Sequence, residues 1–242
     1  MAGLACAAGV FVLLHFVTAP YGRHARTGWG PSIGSVSGWV LMETPAVAVF
    51  AAFFLSGHGC RPGWVWVFVA LWEFHYVQRA LVFPFRLREA GKRIPVLIVV
   101  FGIIFNVYNG YLNGRYLGVH GGAYGPAWFA DPRFLAGAAA FAAGMAINLH
   151  SDHILRNLRQ PGESGYRIPQ GGLFRWVSCP NYFGETLAWA GWAVATWSLP
   201  GLFFAVWTAA NLLPRARAHH RWYLAHFAEY PTARKAIVPY LY

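Results

Sequence analysis

Residues 148–185 read NLHSDHILRNLRQPGESGYRIPQGGLFRWVSCPNYFGE and connect two apolar stretches of the chain. The stretch before them, FLAGAAAFAAGMAI, and the stretch after them, TLAWAGWAVATW, are typical of buried or membrane helices. Between the two, the chain concentrates arginine, asparagine, aspartate and tyrosine. An anchor at a membrane surface needs only positive charge, whereas a site for an anionic ligand also needs directional hydrogen-bond donors and acceptors. The composition of this segment therefore favours a ligand site over a simple anchor.

Polar residues in this segment recur at helical spacing. Asn148, Asp152 and Arg159 follow one another at intervals of four and seven residues, so one face of a helix carries all three. This face combines an amide, a carboxylate and a guanidinium, and we expect it to line the anionic site.

A second polar helix face is expected in the C-terminal tail, residues 215–242. Arg215, His219 and Tyr223 are spaced four apart and place a cation, an imidazole and a phenol on one side. The tail is too polar to cross a membrane. It is either a basic helix at the membrane surface or a second wall of the same anionic site.

Composition places the chain among membrane proteins. It is 57% hydrophobic and 18% aromatic, with only 11% charged residues, which is too apolar for an ordinary soluble domain. The net charge of +11 is divided among short loops between apolar runs, so no nucleic-acid partner is expected. The three cysteines lack the spacing of a metal site or a disulfide framework. Neither a nucleotide fingerprint after a strand, a P-loop nor a zinc-binding HExxH motif is evident.

Apolar segments long enough to cross a bilayer predict an all-α integral membrane protein with seven transmembrane helices. These segments are residues 3–20, 37–56, 63–84, 94–112, 133–153, 181–196 and 198–214. Only a few residues separate the last two, and six spans is the alternative. Residues 1–20 lack the basic start and cleavage site of a signal peptide, so we expect a retained first helix. Without internal repeats, residues 1–242 are predicted to form one domain.

The distribution of basic residues predicts the orientation. With the N-terminus outside, fifteen basic residues lie on the inner side, against Arg61, Arg115 and Arg133 outside and Arg79 within a span. Because positive residues accumulate on the cytoplasmic side, this predicts an outer N-terminus and a cytoplasmic C-terminus. The segment 148–185 then faces the cytoplasm.

Ionisable residues within the apolar segments are candidates for a second site. Glu43 lies in the second span, and Glu73, Tyr76 and Arg79 lie in the third. Such residues are costly in hydrocarbon and usually face the interior of a helix bundle. One interpretation is an internal salt bridge from Glu43 or Glu73 to Arg79. The other is that a carboxyl and a phenol converge on a substrate carbonyl as hydrogen-bond donors.

Several long blocks of the sequence resemble the steroid 5α-reductases, or 3-oxo-5α-steroid 4-dehydrogenases. The most specific are NLHSDHILRNLRQPGESGYRIPQGGLF, ATWSLP, HHRWYL and YPTARKAIVP, and weaker matches are YGRH and HYVQR. More distant relatives, namely trans-enoyl reductases, sterol reductases and isoprenylcysteine methyltransferases, share only the C-terminal half. The resemblance runs from end to end, which favours the steroid branch.

This resemblance implies an enzyme that uses NADPH to reduce the C4–C5 double bond of a 3-oxo-Δ4-steroid. It implies that Glu43 and Tyr76 are the catalytic residues and hydrogen-bond the 3-keto oxygen while hydride is delivered to C5. Residues 134–242 would form most of the NADPH site. The cofactor-binding positions that carry over are Asn148, Asp152, Arg159, Tyr166, Arg167, Asn181, Arg215, His219 and Tyr223. No metal is implied, and Met42 replaces the glutamine that usually precedes the catalytic glutamate.

The expected partners are an apolar 3-oxo-Δ4-steroid or similar enone and membrane lipid, and the expected state is a monomer. A multi-pass protein of this kind would lie in the bacterial inner membrane or the endoplasmic reticulum. Two alternatives remain open: a methyltransferase of the isoprenylcysteine type that uses S-adenosylmethionine, and a non-catalytic receptor or transporter. A transporter would more often show interrupted helices in two matching halves, which this sequence lacks.

Overall fold

The computed structural model describes residues 2–59, 63–87, 92–158 and 165–242, and this part of the chain is mostly helical. It divides into two compact units, one made of Met1–Thr18 with Ala136–Tyr242 and the other of Ala19–Leu135. The helices are α1 Ala2–Phe16, α2 Ser35–Leu55, α3 Trp66–Val77, α4 Phe83–Arg86, α5 Val96–His120, α6 Pro126–Phe129, α7 Pro132–Asn157, α8 Pro180–Thr196 and α9 Leu199–His226. The strands are β1 Ser32–Gly34 and β2 Arg93–Pro95.

A short antiparallel sheet starts the two central helices of the Ala19–Leu135 unit. Strand β1 pairs with β2 in the register Ile33 to Ile94, and α2 and α5 follow the two strands directly. The Ser35 amide donates to the Lys92 carbonyl at 2.9 Å, so α2 begins hydrogen-bonded to the approach to β2. The all-α prediction did not include this sheet, because three-residue strands leave too short a pattern to recognise in a sequence.

Glycines allow α2 and α5 to pack closely along their length. Gly102 lies against Met42, Gly114 against Phe50 and Gly118 against Phe54, so the helices run side by side in the same direction. Small residues bring backbones close enough for extensive van der Waals contact, the main source of helix association where lipid surrounds the protein.

Helix α3 packs on α2 through Trp72. Its indole Nε1 donates to the Ala46 carbonyl at 3.0 Å, and its ring stacks on Phe50 at 4.5 Å. After α3, residues 78–82 widen into a π-helical turn before α4. Pro84 explains the change, because proline lacks an amide hydrogen and its ring would clash with the carbonyl four residues earlier. The predicted third span is therefore interrupted near its end.

In the other unit, α7 and α8 also meet through glycines. A side chain at Gly184 would lie 2.6 Å from the Asn148 amide, and one at Gly191 would lie 2.5 Å from the Phe141 amide. Helix α8 ends at Trp197, which adopts the left-handed conformation with φ 44°. The Ser198 hydroxyl then accepts from the Gly201 amide at 3.1 Å and caps α9. Only Trp197 and Ser198 separate α8 from α9, so the last two predicted apolar segments are distinct helices joined by a tight connection.

Each predicted apolar segment contains a helix. Within the described residues, three helices are long and apolar enough to cross a membrane, namely Ser35–Leu55, Val96–Ala123 and Pro132–Asn157. Large apolar side chains also cover the outside, with Phe16 83% and Ile104 60% exposed. A soluble protein rarely exposes so much apolar surface, so the chain is a membrane protein. Helix α9 continues past Pro214 to His226, so the last predicted span and the start of the polar tail are one helix.

Candidate functional site

The Ala19–Leu135 unit brings Glu43 and Tyr76 to one face of α5. Asn106 Nδ2 donates to Glu43 Oε2 at 3.1 Å, and Asn109 Nδ2 donates to the Tyr76 hydroxyl oxygen at 3.4 Å. Asn106 and Asn109 are three residues apart, so their side chains lie one turn apart on the same side of the helix. The carboxyl from α2 and the phenol from α3 therefore meet neighbouring amides, as two groups acting on one ligand would require.

Three asparagines on α5 form a buried polar network that the sequence analysis missed. Asn106, Asn109 and Asn113 are 5%, 0% and 2% exposed. Asn106 Nδ2 also donates to the Met42 carbonyl at 2.6 Å, and Asn113 Nδ2 donates to Asn109 Oδ1 at 3.0 Å. The detectable signal was the spacing of three amides, in NVYNGYLN, at intervals of three and four inside an apolar segment. Buried amides are almost always hydrogen-bonded, so such a row predicts polar partners on neighbouring helices.

Aromatic rings hold Tyr76 in place. The ring is 3% exposed and lies 4.9 Å from Trp72 and 5.0 Å from His75. Because Trp72 is itself hydrogen-bonded to α2, the phenol is fixed relative to the helix that carries Glu43.

Arg79 lies among aromatic rings. Its guanidinium is over Trp39 at 4.6 Å and over Phe83 at 4.5 Å, a cation–π arrangement. Glu73 Oε1 is buried and has no hydrogen-bond partner among the described residues. The contacts that the structure defines for the Arg79 guanidinium are therefore with aromatic rings.

In the other unit, α7 and α8 assemble the first group of candidate cofactor residues. Asn148 and Asp152 are 3% and 4% exposed on α7. Asn148 Nδ2 donates to the Asn181 carbonyl at 3.0 Å, and Asn181 Nδ2 donates to Asp152 Oδ1 at 3.3 Å. The close approach of α7 and α8 at Gly184 makes these bonds possible, because Gly184 lies against the backbone of Asn148.

Tyr182, which the sequence analysis did not select, connects α8 to the candidate residues of α9. Arg215 Nε donates to the Tyr182 hydroxyl at 3.0 Å, and the same hydroxyl lies 3.1 Å from His219 Nε2. Arg215 and His219 are 8% and 7% exposed. Since Tyr182 directly follows Asn181, the amide–carboxylate group and the arginine–histidine group meet at the first turn of α8.

The remaining predicted cofactor residues lie around Trp222. Tyr223 stacks on Tyr230 at 4.9 Å, and the Tyr166 ring lies 4.9 Å from Trp222. Tyr166 and Arg167 are exposed. Arg159 lies outside the residues that the structure describes.

The C-terminal segment closes against the loop before α8. Ser178 Oγ lies 2.7 Å from both His220 Nδ1 and the Tyr230 hydroxyl. Arg234 donates to the Pro169 carbonyl at 3.0 Å and to Gln170 Oε1 at 2.8 Å. A cavity of about 570 Å³ opens beside these contacts and is lined by Gln170, Gly171, Gly172, Arg175, Trp176, Pro231 and Arg234.

The donor set of α7, α8 and α9 fits an anionic, hydrogen-bonding cofactor. A buried guanidinium stays charged and needs anionic or oxygen partners, and buried amides supply directional donors for a ribose or a carboxamide. Exposed Arg167 extends the positive charge. Among the described residues, no group of three or more His, Cys, Asp or Glu side chains could hold a metal ion.

Comparison with known proteins gives concordant results. Residues 92–242 match the family model described as 3-oxo-5-alpha-steroid 4-dehydrogenase. The chain is 45% identical to 3-oxo-5-alpha-steroid 4-dehydrogenase 1 of Bos taurus, over 100% of this chain and 95% of the relative. It is 43% identical to the Homo sapiens protein of the same name, over 100% and 94%. It is 42% identical to steroid 5-alpha-reductase DET2 of Arabidopsis thaliana, over 96% and 90%.

Proposed function

We propose that this chain, which belongs to the 3-oxo-5-alpha-steroid 4-dehydrogenase family, reduces the C4–C5 double bond of 3-oxo-Δ4-steroids to give 5α-reduced 3-oxosteroids. Full-length similarity to proteins with that name carries the proposal. Hydride is added at C5 and a proton at C4, so the double bond gains two electrons and two hydrogens.

Glu43 and Tyr76 are the proposed catalytic residues. As hydride arrives at C5, negative charge develops on the 3-keto oxygen, and two hydrogen-bond donors aimed at that oxygen stabilise the enolate. A carboxyl that has kept its proton and a phenol can both act as such donors. The placement of both on one face of α5 supports this role. The apolar body of the steroid suits the surrounding aromatic side chains.

The proposed cofactor is NADPH, which supplies the hydride when it is bound. Asn148, Asp152 and Asn181 form one part of its site, and Arg215 and His219, held by Tyr182, form the next. The remaining proposed contacts are Arg159, Tyr166, Arg167 and Tyr223. Guanidinium groups pair with phosphate oxygens in two-point fashion, and NADPH carries one phosphate more than NADH. We expect a kcat/KM for NADPH well above that for NADH.

Membrane topology completes the proposal. Seven transmembrane helices cross a lipid bilayer, with the N-terminus outside and the C-terminus in the cytoplasm, as the distribution of basic residues indicates. The whole chain acts as one functional domain, with residues 134–242 forming most of the cofactor site. The protein functions as a monomer in the bacterial inner membrane or the endoplasmic reticulum.

Purified protein in detergent tests the reaction. NADPH oxidation should begin when testosterone or progesterone is added, and the product should be the 5α-reduced ketone by mass spectrometry and chromatography against standards. A Δ4-steroid that lacks the 3-ketone is the matched control, because it offers no oxygen to polarise. Equal rates with both steroids, or none with any 3-oxo-Δ4-steroid, would contradict the proposal.

A further inference from the structure

We propose that Asn106, Asn109 and Asn113 set the direction of the hydrogen bonds at Glu43 and Tyr76, so that both groups present their protons to the substrate ketone. The inference rests on the proposed catalytic roles of Glu43 and Tyr76. A phenol and a protonated carboxyl can each donate or accept, yet only donation stabilises an enolate oxygen. The site therefore needs neighbouring groups that fix the donor–acceptor direction of these hydrogen bonds, and the amides of α5 provide them.

At Tyr76 the direction follows from a backbone carbonyl. Asn113 Nδ2 lies 3.2 Å from the Asn109 carbonyl oxygen, which can only accept, so the amino group of Asn113 faces Asn109. The same amino group is 3.0 Å from Asn109 Oδ1. The Asn109 amide therefore turns its oxygen to Asn113 and its amino group to Tyr76. Because an amide nitrogen donates and does not accept, the Tyr76 oxygen accepts and directs its own proton elsewhere.

At Glu43 the same logic applies through Asn106. Its amino group lies 2.6 Å from the Met42 carbonyl oxygen, so the orientation of this amide is also set by the backbone. The amino group is 3.1 Å from Glu43 Oε2, which must accept. Because the carbonyl oxygen of a carboxylic acid accepts better than its hydroxyl oxygen, this bond favours the proton on Oε1 when the carboxyl is protonated. Asn106 thus decides which oxygen of Glu43 donates.

Burial keeps these directions from reversing. The three asparagines are nearly inaccessible to water, and an amide that flipped there would lose its partners and leave polar groups unsatisfied. Amides do not titrate, so the direction they impose is independent of pH. By this account the three asparagines are positioning residues, and Glu43 and Tyr76 remain the groups that touch substrate.

A double-mutant cycle tests the Tyr76 branch. Asn109→Leu removes the amide at similar volume, and we expect kcat to fall about tenfold, less than the roughly hundredfold or greater loss that follows removal of one oxyanion donor, because the Tyr76 hydroxyl remains. In a Tyr76→Phe background the same change should alter kcat less than about twofold, because Asn109 acts through the missing hydroxyl. Equal losses in both backgrounds would show a structural role and overturn the inference. Near-normal turnover by Tyr76→Phe alone would instead refute the proposed catalytic role of Tyr76.

The Glu43 branch has a parallel cycle and a matched control. Glu43→Gln keeps an oxygen for Asn106 and an amino group for the ketone, so Asn106→Leu should reduce the residual activity of Glu43→Gln further. No further loss in Glu43→Gln, or a loss that only follows a fall in the melting temperature, would contradict the assignment. Thr44→Val is the control. Thr44 is exposed, and its hydroxyl donates to the Val40 carbonyl of the same helix at 2.6 Å. Its kcat should be unchanged.

An infrared measurement reads the hydrogen bonds without turnover. Testosterone labelled with ¹³C at C3, bound without NADPH, should show a carbonyl stretch that moves to higher frequency in Tyr76→Phe. Asn109→Leu should move it in the same direction, and Thr44→Val should not. An unshifted band in Asn109→Leu would overturn the inference. Should Asn109→Leu fail to fold, Asn113→Leu serves in both experiments with a smaller expected change in the same direction.

Discussion

Glu43 and Tyr76 are the two proposed donors to the substrate ketone, and they lie far apart in the chain. Each comes from a different helix, and each is held by an amide of α5. The contribution of such donors is greatest when charge develops on the substrate oxygen, so their loss should lower kcat and not only weaken binding.

The first prediction concerns these two side chains. Glu43→Gln and Tyr76→Phe should each lower kcat on the order of a hundredfold, while the protein still folds and binds NADPH. Glu43→Gln keeps a donor but removes the acidic proton, so its residual activity measures how much acidity matters. The double variant should lose less than the product of the single losses, because both groups act on one oxygen. Steady-state kinetics with testosterone decides, and near-normal turnover in either single variant would make that residue structural.

The second prediction concerns Tyr182. Its hydroxyl accepts from Arg215 Nε and contacts His219, so Tyr182→Phe should loosen both proposed cofactor contacts. One hydrogen bond to a charged group contributes roughly 1.5–3 kcal/mol, so we expect the Kd for NADPH to rise roughly tenfold or more. Fluorescence titration of NADPH measures this. Tyr240→Phe, at a site 76% exposed, is the control, and an unchanged Kd in Tyr182→Phe would remove Tyr182 from the cofactor site.

At the level of elements, the pairing of α2 with α5 positions the candidate catalytic pair. Glycines along α5 let the backbones approach until an amide of α5 reaches the carbonyl of Met42. How closely the two helices pack sets the distance between Asn106 and Glu43. Helix packing is therefore a constraint on the geometry of the site.

The third prediction tests that constraint. A Cβ atom at Gly114 would lie 3.0 Å from the carbonyl carbon of Phe50, so Gly114→Ala should force the helices apart. Overpacking of this kind costs roughly 1–3 kcal/mol, and we expect a lower melting temperature in detergent together with a lower kcat. Gly9→Ala on α1 is the matched control, because nothing lies within 4 Å of the added atom. A Gly114→Ala variant as stable and active as the control would show that the helices can separate without consequence.

The contact between the end of α9 and the loop before α8 includes a titratable group, His220. Burial lowers the pKa of the His220 imidazole below its ordinary value, and the positive charge of Lys235 lowers it further. The unfolded imidazole titrates near 6.5. The neutral histidine that contacts Ser178 therefore stabilises the fold fully above that pH, and this stabilisation is lost as the pH falls through the folded-state pKa.

The fourth prediction follows from this sign. The melting temperature of the native protein should exceed that of His220→Gln by a constant amount above pH 7, and the difference should shrink below about pH 6.5. Taking the difference cancels the other histidines, which both proteins share. A difference in melting temperature that stays constant from pH 8 to pH 5 would show that protonation of His220 does not change the stability of the fold.

At the scale of the whole molecule, the proposed topology would place both proposed cofactor segments on one side of the membrane. NADPH is made and used in the cytoplasm, so the orientation and the cofactor proposal depend on each other. The lipid-facing surface needs only apolar side chains, which the exposed residues of α5, such as Ile104, provide.

The fifth prediction is the topology itself. With Cys6, Cys60 and Cys179 replaced by serine, a single cysteine at Gln170 or Tyr240 should react with a membrane-impermeant maleimide only from the cytoplasmic side. A cysteine at Ala127, in the loop between the fourth and fifth predicted spans, should react only from the outside. The reverse pattern would overturn the orientation and the proposed access route for NADPH.

The sequence alone predicted where the long apolar helices lie and which of them carry polar residues. Apolar length and composition are local properties, so each predicted segment contains a helix, and polar residues inside apolar runs marked Glu43, Tyr76 and the 148–185 segment. The spacing of the three asparagines on α5 is also visible in the sequence, but the side chains that they contact are not. Long blocks of similarity also indicated the family before any contact was known.

Only the tertiary structure decided which polar groups meet. Asn106 reaches Glu43 across 63 positions of the chain, and Tyr182 reaches Arg215 across 33. Such contacts depend on how deeply two helices pack and on how each is rotated, which follow from side-chain fit along whole interfaces. Local pattern places a residue on a helix face, but the partner of that face is chosen by the packing of the complete fold.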